Sequence, residues 1–257
     1  MEFHSLELDG KVAVVLGGTS GIGRAIALGL AEAGADVIAS GRRTDQVHTV
    51  AGEIRARHKR TVAVTADVTK RGTLDNLLSR VLGDFGKVDI LVNSAGRIKR
   101  QQTINSTESD WQEIIDTNLM GVLRACQVFG EHMLQRNYGR VINITSLNAF
   151  VALYEVAAYA ASKAAVQSLT RSLAVEWAQN GICVNAIAPG VFGTSLNSEL
   201  LKTGRGQELL MRTPMGRYGD PAEAVGTAVL LASDAASFIT GSVITVDGGF
   251  LASGVNQ

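Results

Sequence analysis

Residues 139–163 read GRVINITSLNAFVALYEVAAYAASK. Arg140 to Thr145 carries the apolar Val141, Ile142 and Ile144 of a buried strand, and the stretch closes on the Ala-rich start of a helix. The loop between them begins at Ser146, so this hydroxyl stands at the carboxyl end of a strand. Tyr159 and Lys163 lie one helical turn apart on a common face. Open α/β sheets bind ligands beyond the carboxyl ends of their strands. A hydroxyl, a phenol and an ammonium can therefore converge where a ligand would sit. Singly these residues are ordinary: Tyr and Lys at this spacing make surface pairs, and Ser after a strand serves as a turn or cap. Together they suit a carbonyl, which needs a proton donor and a group that polarises its oxygen. A free phenol titrates at about 10, and a nearby ammonium favours the phenolate. Moving it to about 7 requires roughly 4 kcal/mol of added phenolate stabilisation.

Ser146, thirteen positions before Tyr159-x-x-x-Lys163, joins a second motif, Asn93-Ser94-Ala95-Gly96. Together they resemble the short-chain dehydrogenase/reductase family in its single-domain form, and the likeness runs from Leu8 to about Phe250. It implies an α/β fold: one Rossmann domain over residues 1–257, with a doubly wound, seven-stranded parallel sheet and helices on both faces.

The totals agree. A chain of 257 residues, 46% hydrophobic, suits one α/β domain with a large core. Lys+Arg and Asp+Glu are both 24, which gives no electrostatic case for nucleic acid or an anionic membrane. Cys126 and Cys183 lie in apolar segments and read as reduced core thiols. The four histidines lack metal-ligand spacing, so no metal is expected. The start, MEFHSLELDG, has neither a basic cluster nor an apolar run, and no apolar stretch approaches 18 residues. The expected location is the cytoplasm.

The apolar run Lys11 to Leu16 reads as the first strand. GGTSGIG follows at Gly17 to Gly23, then an Ala-rich helix ending at Gly34 and a second strand, Asp36 to Ser40. A glycine loop between strand and helix lets the backbone approach a pyrophosphate, and the helix N-terminus supplies amide donors. Gly17, Thr19, Ser20, Gly21, Ile22 and Gly23 are therefore candidate cofactor contacts. Where an NAD enzyme carries an acid on the second strand, this chain has Gly41 followed by Arg42. A guanidinium there either pairs with a 2′-phosphate or is a solvated loop residue. NADP(H) is the favoured cofactor and NAD(H) the other possibility.

A helix is expected from Thr44 to about His58, a third strand at Thr61–Thr65, a helix at Lys70–Asp84 and a fourth strand at Val88–Val92. Ser106 or Thr107 can cap a long helix to about Gln135. Arg140–Thr145, Gly181–Ile187 and Ser242–Val246 complete the seven strands. Residues 195–213 read as a substrate lid, with Gly204 and Gly206 as its mobile points.

The resemblance also implies roles. Asp67, with Val68, lies beside the adenine, although Asp67 can equally serve as a cap. Asn93, Ala95 and Gly96 allow the cofactor to approach, Pro189 and Gly190 form a turn past a strand end, and Thr194 holds the carboxamide and phosphate. Asn118 extends a proton path from Lys163. Ser146 holds a substrate carbonyl, Tyr159 gives the proton, and Lys163 lowers the phenol pKa and binds the nicotinamide ribose. A homotetramer is implied as well. Leu16 departs from the family's usual Thr, and Ser20 replaces its second basic residue. INITSLNAF, NAIAPGVFGTSLN and RTPMGRYGDPAEAVG are most similar to the sugar-acid branch, the gluconate 5-dehydrogenase type. Asn148, Tyr154 and Arg97 could then face a polyol or carboxylate. The basic run Arg97 to Arg100 is either a solvated loop or an attractor of acidic substrate. Two alternatives stand beside a sugar acid: a 3-oxoacyl-thioester reductase, and a dinucleotide-bound interaction module without turnover.

Overall fold

Val12–Leu16, five apolar residues, form strand β1, buried on both faces and flanked by a strand on each side. The computed structural model of the protein describes residues 5–194 and 197–254. After β1 come helix α1 (Gly21–Glu32), β2 (Asp36–Ser40), α2 (Thr44–Arg55), α3 (Arg71–Phe85) and β3 (Ile90–Asn93). The second half holds α4 (Glu108–Ile115), α5 (Gly121–Arg136), β4 (Gly139–Ile144), α6 (Ala157–Trp177) and β5 (Ile182–Pro189). Two short helices, α7 (Ser198–Leu201) and α8 (Gly204–Met211), precede α9 (Val225–Ala232) and β6 (Val243–Val246).

All the strands pair in parallel, in the order β2-β1-β3-β4-β5-β6. The chain runs outward from β1 to β2, then crosses back to build the other half. The switch point therefore lies between β1 and β3, where a ligand crevice is expected. Alternate residues of β1 feed two cores. Val12, Val14 and Leu16 pack with residues of α3, α5 and α6, while Ala13 and Val15 pack with α1, α2 and α9. Two glycines bring helices together: a Cβ on Gly29 would lie 2.2 Å from Val225, and one on Gly130 would lie 2.6 Å from Trp177.

Two expectations change. Among the described residues the sheet has six strands rather than seven, because Thr61–Thr65 does not form a ladder with β2. Its ties there are the Val37 amide donating to Arg60 O, the Ser40 hydroxyl donating to Val64 O at 2.7 Å, and the Ala66 amide donating to Gly41 O. A side chain thus takes the place of a main-chain rung. The long helix after Thr107 is also interrupted. Thr107 caps it in a reciprocal box with Asp110, but Asp116–Met120 forms a π-helical turn between α4 and α5. Such turns widen a helix locally and often mark functional sites. Ser195 and Leu196, the first residues of the expected lid, lie outside the described residues, and the rest of it contains α7 and α8. Among the described residues, no helix is long and apolar enough to cross a membrane.

Candidate active site

β1 ends at Leu16 and the chain turns sharply at Gly17, whose φ of +77° suits glycine. A Cβ there would lie 2.5 Å from the Ala95 amide nitrogen, so the glycine loop packs directly on the loop after β3. A Cβ on Gly23 would lie 2.2 Å from Gly17 O, which closes the turn onto α1. Ser20 is the N-cap of α1 but its side chain makes no capping bond, so the amides of the first turn face the crevice with their positive potential.

A cleft of about 700 Å³ opens there. Gly17, Thr19, Ser20, Gly21, Ile22 and Gly23 form one wall, and Arg42, Asp67 and Val68 one end. Ala95, Gly96, Pro189, Gly190 and Thr194 line its middle, and Ser146, Tyr159 and Lys163 its other end. A long cleft with a glycine cradle, open helix amides and a cationic end fits a phosphorylated dinucleotide. Gly21 supports this: a Cβ there would meet only the Thr194 side chain, at 3.5 Å, leaving the space above the loop for a ligand.

Asp67 serves as a local turn residue. Its carboxylate accepts from the Thr69 amide at 3.0 Å and the Thr69 hydroxyl at 2.8 Å, and the cap of α3 is Lys70. Burial pushes the Asp67 pKa up, but the Thr69 bonds and the charges of Arg42 and Lys70 outweigh it, and the group ends below its ordinary value. Arg43 lines the same end beside Arg42; sequence reasoning had singled out only Arg42.

Asn93 and Asn118 stand behind the wall. The Asn93 amide donates to Asn143 Oδ1 at 2.8 Å. Asn118, fully buried in the π turn, accepts from the Arg97 amide at 2.9 Å and donates to Arg97 O and to Ser162 Oγ, each at 3.0 Å. It therefore clamps the loop after β3 to α6.

At the chemical end, Ser146 is buried; its hydroxyl donates to Asn148 Oδ1 and accepts the Asn148 amide, each at 3.2 Å, and it lies beside the phenol of Tyr159. The Lys163 ammonium donates to Ile144 O at 2.8 Å and sits 5.7 Å from the centre of the Tyr159 ring. Burial pushes its pKa down to about 8. Burial also raises the pKa of Tyr159, against the smaller lowering effects of the Ser146 bond and the Arg100 charge. The sequence expectation had Lys163 as the group that lowers the phenol pKa. Here the ammonium donates to the Ile144 carbonyl as well as lying over the Tyr159 ring, and the Arg100 charge also bears on the phenol.

The basic loop resolves into distinct roles. Arg97 pairs with Glu113 at 2.6 Å and Lys99 with Asp110 at 2.6 Å. Arg100 has no carboxylate partner among the described residues; its guanidinium donates to Asn197 Oδ1 at 3.0 Å. Of the three substrate candidates, Arg97 lines the cleft and Asn148 touches Ser146, with its own Nδ2 buried and unpartnered among the described residues. Tyr154 is largely exposed and accepts from Gln102 Nε2.

The family model described as "Enoyl-(Acyl carrier protein) reductase" matches residues 17–251. The chain belongs to the short-chain dehydrogenase/reductase family. It is 40% identical to the 2-dehydro-3-deoxy-D-gluconate 5-dehydrogenase of Escherichia coli strain K12, over 98% of this chain and all of that one. A putative NAD(P)-dependent gluconate 5-dehydrogenase from Beutenbergia cavernae, solved with NADP, is 44% identical with a TM-score of 0.92, covering 96% of this chain and 99% of that one. A gluconate 5-dehydrogenase from Burkholderia cenocepacia J2315, solved with NADP and tartrate, is 35% identical with a TM-score of 0.94, covering 98% and 99%. This short-chain dehydrogenase/reductase is an NAD(P)-dependent oxidoreductase, and the interaction module without turnover falls away.

Proposed function

We propose that the enzyme interconverts a secondary alcohol and a ketone on a sugar acid, with NADP(H) preferred. The observation that carries this is Arg100: a guanidinium without a carboxylate partner among the described residues, donating to Asn197, which lines the cleft, with a charge that bears on the Tyr159 phenol. A guanidinium so placed binds a carboxylate through parallel hydrogen bonds. The names of the relatives point the same way, and one of them holds the dicarboxylate tartrate.

When bound, the nicotinamide supplies or accepts the hydride. Gly17, Gly21 and the first turn of α1 would hold the pyrophosphate, with Thr194 beside Gly21. Arg42 and Arg43 would receive a 2′-phosphate, since Gly41 stands where an NAD enzyme carries its acid. Asp67 and Val68 would border the adenine, Ala95, Gly96, Pro189 and Gly190 would shape the groove between, and Asn93 supports that wall from behind. Ser146 holds the substrate oxygen and stabilises charge that develops on it. Tyr159, kept protonated by burial, gives its proton to that oxygen in reduction. Lys163 holds the ribose from the Ile144 side, and Asn118 fixes the loop that carries Arg97 and Arg100. The unpartnered Asn148 amide offers a donor to a substrate hydroxyl.

A panel of sugar acids against acetoacetyl thioesters, with each nicotinamide cofactor and read by absorbance, tests the reading. Turnover of thioesters but not sugar acids would favour the 3-oxoacyl-thioester alternative, and a tenfold preference for NAD would overturn the cofactor assignment. Tyr159→Phe is expected to lower kcat at least about 100-fold; near-normal turnover rejects its role.

We further infer a homotetramer. Val175 on α6 is 81% exposed and Phe238 fully exposed, and neighbouring copies of the chain would cover them. Light scattering that returns the mass of one chain refutes this. The two cysteines are free and buried, as suits the reducing cytoplasm, and a disulfide-linked species in freshly lysed cells would argue against it.

A further inference from the structure

To hold a substrate oxygen, Ser146 must donate its one hydrogen, and in the structure that hydrogen is spent elsewhere. A serine hydroxyl has a single hydrogen to give and two lone pairs to accept with. Here the hydrogen goes to Asn148 Oδ1 at 3.2 Å, and one lone pair takes the Asn148 main-chain amide, also at 3.2 Å. Ser146 caps the 3₁₀ turn Leu147–Ala149, and that turn sets Asn148 against the hydroxyl. With its hydrogen on Oδ1, Ser146 has nothing to donate into the cleft that it lines.

The other end of the same side chain is at odds with its surroundings. Asn148 Nδ2 is buried and has no hydrogen-bond partner among the described residues. A buried donor left unpaired is costly, and such N–H groups are rarer in folded proteins than under-satisfied carbonyl oxygens. A half-turn about the Cβ–Cγ bond exchanges the two ends of the amide. Nδ2 then takes the place of Oδ1 beside Ser146 Oγ, and the exposed-chain cost falls on the oxygen instead. Ser146 now accepts from Nδ2 and from the main-chain amide, both its lone pairs are filled, and its hydrogen is free for the cleft. A hydroxyl that accepts is also polarised into a stronger donor. Nδ2 carries two hydrogens, so the second stays available to a substrate hydroxyl.

We propose that Asn148 is a positioning residue that turns the Ser146 hydroxyl into a donor. Its side-chain amide makes the half-turn as the substrate carbonyl enters, and Nδ2 holds Oγ while the serine hydrogen goes to the substrate oxygen. Asn148 acts through Ser146 and needs no place in the cleft itself. This deepens the alcohol–ketone reading and rests on the part of it in which Ser146 holds the substrate oxygen.

Asn148→Asp keeps the shape and the acceptor and removes the donor. With the ketone that wild type reduces fastest, it is expected to lower kcat at pH 8 about tenfold, the scale of one hydrogen bond. NADPH binding in fluorescence titration should stay as in wild type. As pH falls to 5 the introduced carboxyl, raised by burial, takes up a proton and regains a donor, so the deficit against wild type at the same pH should shrink to about threefold or less. A residue that only braces the turn through Oδ1 is replaced well by Asp and shows no such rescue. A kcat within twofold of wild type at pH 8, or a deficit that is the same at pH 8 and pH 5, overturns the proposal.

Ser146→Ala locates the effect. If Asn148 works through the hydroxyl, adding Asn148→Asp to Ser146→Ala lowers kcat no further. A loss of equal size with and without Ser146 overturns the proposal and leaves the role of Ser146 standing. Near-normal turnover by Ser146→Ala removes that role and the proposal with it. Where circular dichroism finds Asn148→Asp unfolded, Asn148→Leu, similar in shape and uncharged, carries the same cycle. Its loss is expected to be about tenfold with Ser146 present and absent in Ser146→Ala, and an equal loss in both overturns the proposal.

Discussion

Lys163 is expected to destabilise the empty enzyme that it serves. Its ammonium is buried, and burial moves its pKa from 10.5 to about 8. That difference corresponds to roughly 3 kcal/mol against the charged form in the folded state at pH 7, at about 1.36 kcal/mol per unit. The folded pKa lies below the unfolded one, so between pH 8 and 10.5 the unfolded chain binds more protons and stability rises with pH. Lys163→Met keeps most of the stem and removes the charge, but it leaves the Ile144 carbonyl, now bonded at 2.8 Å, without its donor. An unsatisfied buried acceptor costs about 1–3 kcal/mol. The variant should therefore match or exceed wild type in cofactor-free stability at pH 7, by up to about 2 kcal/mol. The difference should move by roughly 2 kcal/mol in favour of wild type on going to pH 9.5. Urea unfolding of both proteins at the two pH values measures it. A difference that does not change with pH, or a variant several kcal/mol weaker at pH 7, would refute the picture of a strained, buried ammonium.

Other outcomes follow from single contacts. Gly17→Ala forces a side chain into the left-handed region, 2.5 Å from the Ala95 nitrogen, and should lose at least about 1–2 kcal/mol of stability by thermal unfolding. Gly21→Ala meets only Thr194 but sits at φ +52°, so it should cost roughly 1–2 kcal/mol of stability in thermal unfolding as well as weaken dinucleotide binding in fluorescence titration. Arg100→Ala should raise KM for the acid and shift the alkaline limb of the pH profile of reduction upward, because Arg100 lowers the phenol pKa; an unmoved limb argues against that link. His132 accepts the Val88 amide on Nε2, and burial and Arg136 hold its pKa below 6.5. Its contribution is present above about pH 6.5 and is lost as pH falls through the depressed folded value. His132→Gln, whose amide oxygen can accept the same bond, should lose less stability between pH 7 and 5 in urea melts.

Local pattern decided what was legible in the sequence. Ser146, Tyr159 and Lys163 lie on one strand–loop–helix unit, so spacing alone brings them together, and Gly17 to Gly23 sit between a buried strand and a helix in the same way. Thr61–Thr65 looked like a strand because its residues suit one, but edge pairing is settled by its partner. The Ser40 hydroxyl takes the Val64 carbonyl and interrupts the ladder. The π turn at Asp116–Met120 adds one residue to a single turn, a phase shift too local to read from the apolar pattern of the sequence. Arg97 and Arg100 could not be ranked in the sequence, because their roles depend on Glu113 and Asp110 of α4 occupying Arg97 and Lys99.

These contacts place control of the phenol proton on the substrate's side of the cleft. In the empty site Tyr159 is raised by burial and held back by the Ser146 bond and the Arg100 charge. A bound carboxylate that neutralises Arg100 removes one of the two restraints, so the phenol pKa climbs further and the proton is held until the oxygen of the reacting carbonyl takes it. A neutral ketone leaves Arg100 charged and the phenol more acidic. An acid substrate and a neutral analogue should therefore differ in the pH at which reduction falls away, with the acid retaining activity to higher pH. Arg100→Ala should erase that difference, since it takes away the charge through which the substrate acts on the phenol.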